Sequence, residues 1–183
     1  MKLDFSVVSN AWWALLGGVM GTMFLAIMGM ILAMVIGILG VAVLRAHRRI
    51  PSFLVNAFVE VIRNTPFLVQ IYFLFFALPL AGVRLNPTFT AIVALGLNGG
   101  AYAIEIIRGG VESISKGQTE AGLALGLRRG EVFRIIVLKP ALRAIYPSLS
   151  SQFILLTLTT SICTSISAYE LTSVGQRIEA ETF

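Results

Sequence analysis

The chain has 183 residues, of which 57% are hydrophobic and 13% charged, about half the charged share of a soluble domain. With a mean hydropathy of +0.88 and a formal charge of +5, it reads as an all-α integral membrane protein of one domain, with no room for a separate soluble one. The basic balance points to loops facing anionic lipid rather than to nucleic acid.

Residues 5–44 carry no charge, twice the roughly 20 residues that a helix needs to cross hydrocarbon. The first span is expected within Ala14–Leu44, with Asn10 to Trp13 at the outer interface, where tryptophan is favoured. Lys2, Asp4 and the long apolar run do not read as a cleaved signal. Gly17, Gly18, Gly21, Gly29, Gly37 and Gly40 suit close helix packing. A basic turn with Arg45, His47, Arg48 and Arg49 follows.

The second span is expected over about Phe53–Leu80. Glu60 and Arg63 are three apart, share a helix face and can pair. Pro66 lacks an N–H and should kink the helix or end a short segment. Gln70 is the one strongly polar side chain in the run after it. The third span, about Pro87–Ile107, carries Asn98, Tyr102 and Glu105. Glu105 and Arg108 are again three apart. The fourth, about Ala144–Tyr169, is rich in hydroxyls: Thr157, Thr159, Thr160, Ser161, Thr164, Ser165 and Ser167. In hydrocarbon these must bond to their own backbone, to other helices or to a wet path. Cys163 lies in an apolar run and reads as packed.

Between the third and fourth spans, Arg108, Lys116, Arg128, Arg129, Arg134, Lys139 and Arg143 make a basic loop over 108–143. The positive-inside bias puts this loop and the 45–52 loop in the cytoplasm. The N-terminus, the 80–87 loop and Glu170–Phe183 fall outside. Within the basic loop, Ser115 or Thr119 can cap a short helix, and Glu120 suits a helix start. Gly122, Gly126 and Gly130 either form one smooth face or break the helix. Val132, Phe133, Ile135, Ile136 and Leu138 form an apolar face that can lie on the bilayer. Lys139-Pro140 should then open the next span. The region reads either as an amphipathic surface helix or as a docking helix that transmits motion.

The segment Glu120-Ala121-Gly122-Leu123-Ala124-Leu125-Gly126, with Ile136-Val137-Leu138-Lys139-Pro140, resembles the "EAA" loop of permease subunits in bacterial ABC importers. Residues Glu60 to Gln70 are similar to the signature of the polar amino-acid branch, the histidine/glutamine/glutamate uptake permeases. Ala101 to Gly110 and Lys116-Gly117-Gln118 match that branch as well. The motifs follow family order across residues 15–175.

The resemblance implies a type I permease-like helical bundle in the bacterial inner membrane. It implies a second permease subunit, identical or paralogous, a cytoplasmic ATPase dimer, and an extracytoplasmic amino-acid-binding protein. It also implies about five spans, so that one is expected beyond the C-terminus of this chain. Docking to the ATPase falls to Lys116, Gly117, Glu120, Ala121, Gly122 and Gly126. No cofactor, metal or catalytic group is expected in the chain, and ATP and Mg belong to the partner. Three positions depart from the family pattern: Gly122 at the third EAA place, Pro140 one position late, and Leu158 where a lysine often precedes the Thr-Ser pair.

For the substrate path, the polar groups that lipid penalises are the candidates: Gln70, Asn98, Tyr102, Thr160 and Ser161. Glu60 with Arg63, and Glu105 with Arg108, read as gate or structural pairs. A self-contained channel or ion-coupled carrier, and a non-transporting structural subunit, are the rival classes. The acids cluster near the expected cytoplasmic ends, which counts against a proton relay.

Overall fold

The computed structural model describes residues 9–46 and 48–182. The readings for Lys2, Asp4, His47 and Phe183 lie outside the described residues. Among these residues every regular element is helical: α1 (Trp12–Arg45), α2 (Arg49–Asn64), α3 (Phe67–Tyr72), α4 (Pro87–Glu112), α5 (Lys116–Ala124), α6 (Arg129–Glu131), α7 (Leu138–Thr159) and α8 (Leu171–Thr182).

Helices α1 and α4 run side by side in the same direction. Gly29 meets Leu95, Gly37 meets Ala103 and Gly40 meets Ile104. The exchange is mutual, because Gly96 and Gly100 of α4 receive Leu32 and Ile36 of α1. A Cβ on Gly37 would stand 2.7 Å from that of Ala103, and one on Gly96 2.4 Å from Leu32. The glycines of α1 are therefore a packing seam, as small residues in membrane helices allow. The rest of α1 leaves Met20, Phe24, Ile31, Ile38 and Leu39 exposed, as lipid contact requires. Trp12 and Trp13 open the helix, both exposed.

The second span is not one kinked helix. Its two parts bend by 110° at the break before Phe67, more than a proline kink alone. Helix α2 packs Val59 against Val41 and Ile104, while α3 sits further along α4, where Gln70 meets Asn98. Pro66 has no N–H to give the carbonyl of Ile62. The buried Gln70 amide supplies it instead, donating to Ile62 O and Thr65 O, both at 2.8 Å. After α3 the chain widens into a π turn (Phe73–Ala77), tightens into a 3₁₀ turn (Leu78–Ala81), and stops at Gly82, φ +87°.

Helix α4 begins at Pro87, as read, with Asn86 Oδ1 accepting from Phe89 N–H at 2.7 Å. Helix α5 is capped by Ser115. It ends in a Schellman turn, in which Leu127 N–H reaches Gly122 O and Gly126 N–H reaches Leu123 O. Gly126, φ +83°, thus stands beyond the helix. The glycine triplet breaks the segment instead of smoothing one face.

Residues 129–138 are not a separate surface helix, and Pro140 does not open the fourth span. One 38-residue helix runs from Arg129 to Ile166. Val132–Val137 form a π turn within it. Pro140 withholds a donor from Ile136 O, and the wider turn loosens the ladder just where that bond is missing. The hydroxyls of this helix return to it: Thr157 donates to Phe153 O, Thr159 to Leu155 O, Thr160 to Thr157 O and Ser161 to Leu158 O. Cys163 is buried, as read.

The helix stops at Ser167, φ +60°. Residues 169–171 then settle on Gly17, Gly18 and Gly21 of α1, and Leu171 N–H donates to Thr22 Oγ1 at 3.1 Å. The buried Glu170 carboxylate caps α8 by accepting from Thr172 and Ser173 N–H.

Candidate translocation cavity and coupling surface

The break between α2 and α3 opens a cavity of about 520 Å³. Its walls are the break itself (Arg63 to Phe67), one face of α4 (Leu95, Asn98, Tyr102) and one face of α7 (Gln152, Leu155, Leu156, Thr159). Both polar and apolar side chains line it.

Of the path candidates, Asn98 and Tyr102 line this cavity. Gln70 lies behind the break, where its amide holds two freed carbonyls and accepts from Asn98 Nδ2 at 3.2 Å. It borders a separate apolar groove with Phe58, Val69 and Phe73. Thr160 is buried, its hydroxyl donating to Thr157 O, and Ser161 is exposed beside it; neither lines the cavity. Gln152 and Thr159 do; neither is among the path candidates read from the sequence, although Thr159 is one of the hydroxyls noted there. They are seven apart, hence on one face of α7 with Leu155 and Leu156, and that spacing is the signal in the sequence that marks them.

Arg63 does not pair with Glu60. Its guanidinium reaches across to α4, 3.1 Å from Glu105 and 5.4 Å from the Tyr102 ring centre. Tyr102 and Glu105 are one turn apart, so one side chain engages both. Glu105 is shared, since Arg108 holds its other oxygen at 2.8 Å, the pairing read from the sequence. Glu60 stays exposed on the rim of a second hollow, with Asn56, Arg63 and Glu105. These ions are partly solvated, so the cluster fixes geometry more than it adds stability.

On the basic loop, Lys116, Gly117, Glu120 and Ala121 are exposed on the outward side of α5. Gly122 is buried on the opposite side, where a Cβ would stand 2.4 Å from Ile136 and 3.1 Å from Val132. The small residue at this position is demanded by contact with the long helix. Gly126 has open space around it.

Residues 29–178 match the family model described as binding-protein-dependent transport system inner membrane component. The chain belongs to that family. It is a multi-pass inner-membrane permease subunit of ABC type. The permease is 40% identical over 185 residues to the glutamine transport system permease protein GlnP of Escherichia coli (strain K12), covering all of this chain and 84% of that protein. It is 34% identical over 179 residues to the L-cystine transport system permease protein TcyB of Bacillus subtilis (strain 168), covering 97% and 76%. Among solved structures, an amino acid ABC transporter crystallised with histidines superposes with a TM-score of 0.93 at 26% identity, over 100% of this chain and 85% of that one. The MetNI methionine ABC transporter, at 21% identity and a TM-score of 0.76 over 92% and 81%, shares the fold.

Proposed function

We propose that this permease passes a polar amino acid through the cavity at the α2–α3 break. In this reading it works with a second permease subunit, identical or paralogous, and receives its substrate from an extracytoplasmic binding protein. Residues 1–183 act as one permease domain, and the 108–143 loop couples it to a cytoplasmic ATPase dimer that holds ATP and Mg. The outward face of α5, with Lys116, Gly117, Glu120 and Ala121, meets the ATPase. Relatives named for glutamine and L-cystine transport support the substrate class.

The observation that carries the reading is one helix. Gly122 seats α5 on Val132 and Ile136, and these residues belong to the same 38-residue helix that brings Gln152, Leu155, Leu156 and Thr159 to the cavity. A push on α5 therefore reaches the cavity wall along one continuous helix. The π turn at Val132–Val137 is where that helix can yield. Asn98, Tyr102 and Gln152 offer hydrogen bonds to a zwitterion, and about 520 Å³ lies within the ordinary range of small-molecule sites.

The test is uptake of labelled glutamine by proteoliposomes holding the permease with its ATPase and binding protein. Asn98→Ala and Gln152→Ala should raise the half-saturating concentration of the loaded binding protein or lower the uptake rate. ATPase co-purification should remain unchanged. Normal uptake by the double variant would remove the cavity from the path.

A further inference from the structure

We propose that the basic end of the bundle holds a specific site for the phosphate headgroup of an anionic phospholipid, in the hollow behind α5. This hollow has a volume of about 340 Å³ and lies apart from the translocation cavity. Its walls come from four places in the chain. Arg45 ends α1, Val111 and Ile114 close α4, Thr119 and Leu123 form the inner face of α5, and Arg129, Phe133 and Val137 lie on the long helix.

Two features define the ligand. The first is charge. Arg45 and Arg129 both border the hollow, no carboxylate does, and neither arginine has an acidic partner among the described residues. Arg45 is held in place by its guanidinium lying 5.2 Å over the Phe133 ring. The nearby Glu131 carboxylate is already engaged, accepting from Arg128 N–H at 2.7 Å. Two arginine forks with a threonine hydroxyl suit a phosphate, which takes several donors at once.

The second feature is position. Arg45 is the first charge after the uncharged run 5–44, so the hollow stands at the basic end of the bundle, on the side that faces anionic headgroups. Phe133 in its wall is exposed, and the two helices that carry Arg45 and Arg129 also expose Ile38, Leu39, Ile135 and Leu138. A free anion would have no use for that greasy rim, whereas acyl chains would lie along it. Basic pockets between membrane helices have this ligand preference. Because Thr119 and Leu123 belong to α5, the lipid would sit behind the element that carries motion to the spans.

The experiment uses the full permease complex in nanodiscs of phosphatidylcholine alone or with phosphatidylglycerol, followed by native mass spectrometry of retained lipid. The wild type should retain phosphatidylglycerol in preference to phosphatidylcholine. Arg45→Gln with Arg129→Gln should weaken that retention by roughly 10- to 30-fold, from about one lipid-surface contact per arginine. Arg134→Gln with Arg143→Gln, which removes the same charge outside the hollow, should change it little. Arg45→Lys with Arg129→Lys keeps the charge and should restore most of the retention, which separates a binding defect from misfolding. Equal losses in the two Gln pairs would mean diffuse surface attraction and overturn the site. So would displacement of the lipid by inorganic phosphate at millimolar level, which would make it a free-anion site, or preferential retention that is absent from the full complex and present only after the ATPase is stripped from it, which would give the arginines to that partner.

Discussion

Replacing Gln70 with Leu tests the account of the α2–α3 bend. The amide is buried and makes three bonds: two donated at 2.8 Å to Ile62 O and Thr65 O, and one accepted at 3.2 Å from Asn98. Leucine fills similar space but leaves the carbonyls without their donor. Hydrogen bonds within membrane proteins average about 0.6 kcal/mol each, so three give about 2 kcal/mol. Counting instead the cost of orphaned buried groups, about 1–3 kcal/mol apiece, and noting that Thr65 N–H still lies 3.4 Å from Ile62 O, the loss is about 2–4 kcal/mol. The two routes converge, and the expected fall in Tm is about 5–10 °C for a chain of this size. Thermal unfolding in detergent without substrate is the assay. Gln70→Glu should fall comparably, because it keeps an acceptor and loses both donors. An unchanged Tm with uptake abolished would refute the clamp and make Gln70 a substrate contact.

The α1–α4 seam should not tolerate bulk. Gly37→Leu ought to cost folded protein, seen as lost monodispersity on size exclusion, whereas Gly117→Ala, with nothing within 4 Å of the new Cβ, should leave Tm unchanged or slightly raised. At the end of α5, Gly126→Val should lower Tm and co-purification of the ATPase, and Gly126→Asn should largely spare both, because the demand at φ +83° is conformational and the space is open. Glu105→Gln releases two arginines at once, so ATP hydrolysis without substrate should rise. The charge exchange Arg63→Glu with Glu105→Arg should lower it again relative to either single change. For topology, a cysteine at Ser115 should resist an impermeant thiol reagent in intact cells while one at Asn86 reacts. The buried Cys163 should give no background.

Composition and run length disclose the spans because lipid punishes charge wherever it lies, and the α1 glycines disclose a seam because nothing else in an apolar helix needs them. Pairing was harder to read. Glu60 and Arg63 satisfy the local spacing rule, yet the bend turns Arg63 toward α4, where an aromatic face and a carboxylate stand together. Spacing along one helix carries no information about a 110° bend. Gln70 illustrates a second gap. Its polarity marks it as functional, but a proline four residues earlier had freed a carbonyl, and the amide answers that need first. Gly122 and Gly126 look alike in the motif and do different work, one by size and the other by backbone angle. The start of the fourth span was misplaced because Pro140 is tolerated inside a helix whose preceding turn is already wide.

The reciprocal glycine seam between α1 and α4 also bears on how the protein is made. Helix α1 is uniformly apolar and can enter the bilayer alone, whereas α4 carries Asn98, Tyr102 and Glu105 and enters at a cost. The two are joined late, since residue 112 follows residue 45 by 67 positions, roughly 3–13 s at ordinary synthesis rates of about 5–20 residues per second. For that interval the seam glycines of α1 lack the α4 side chains they meet in the folded chain, a groove shaped for a helix that does not yet exist. A variant that fills the groove would then act during synthesis, by sending α4 to degradation, before any finished transporter could be tested for stability.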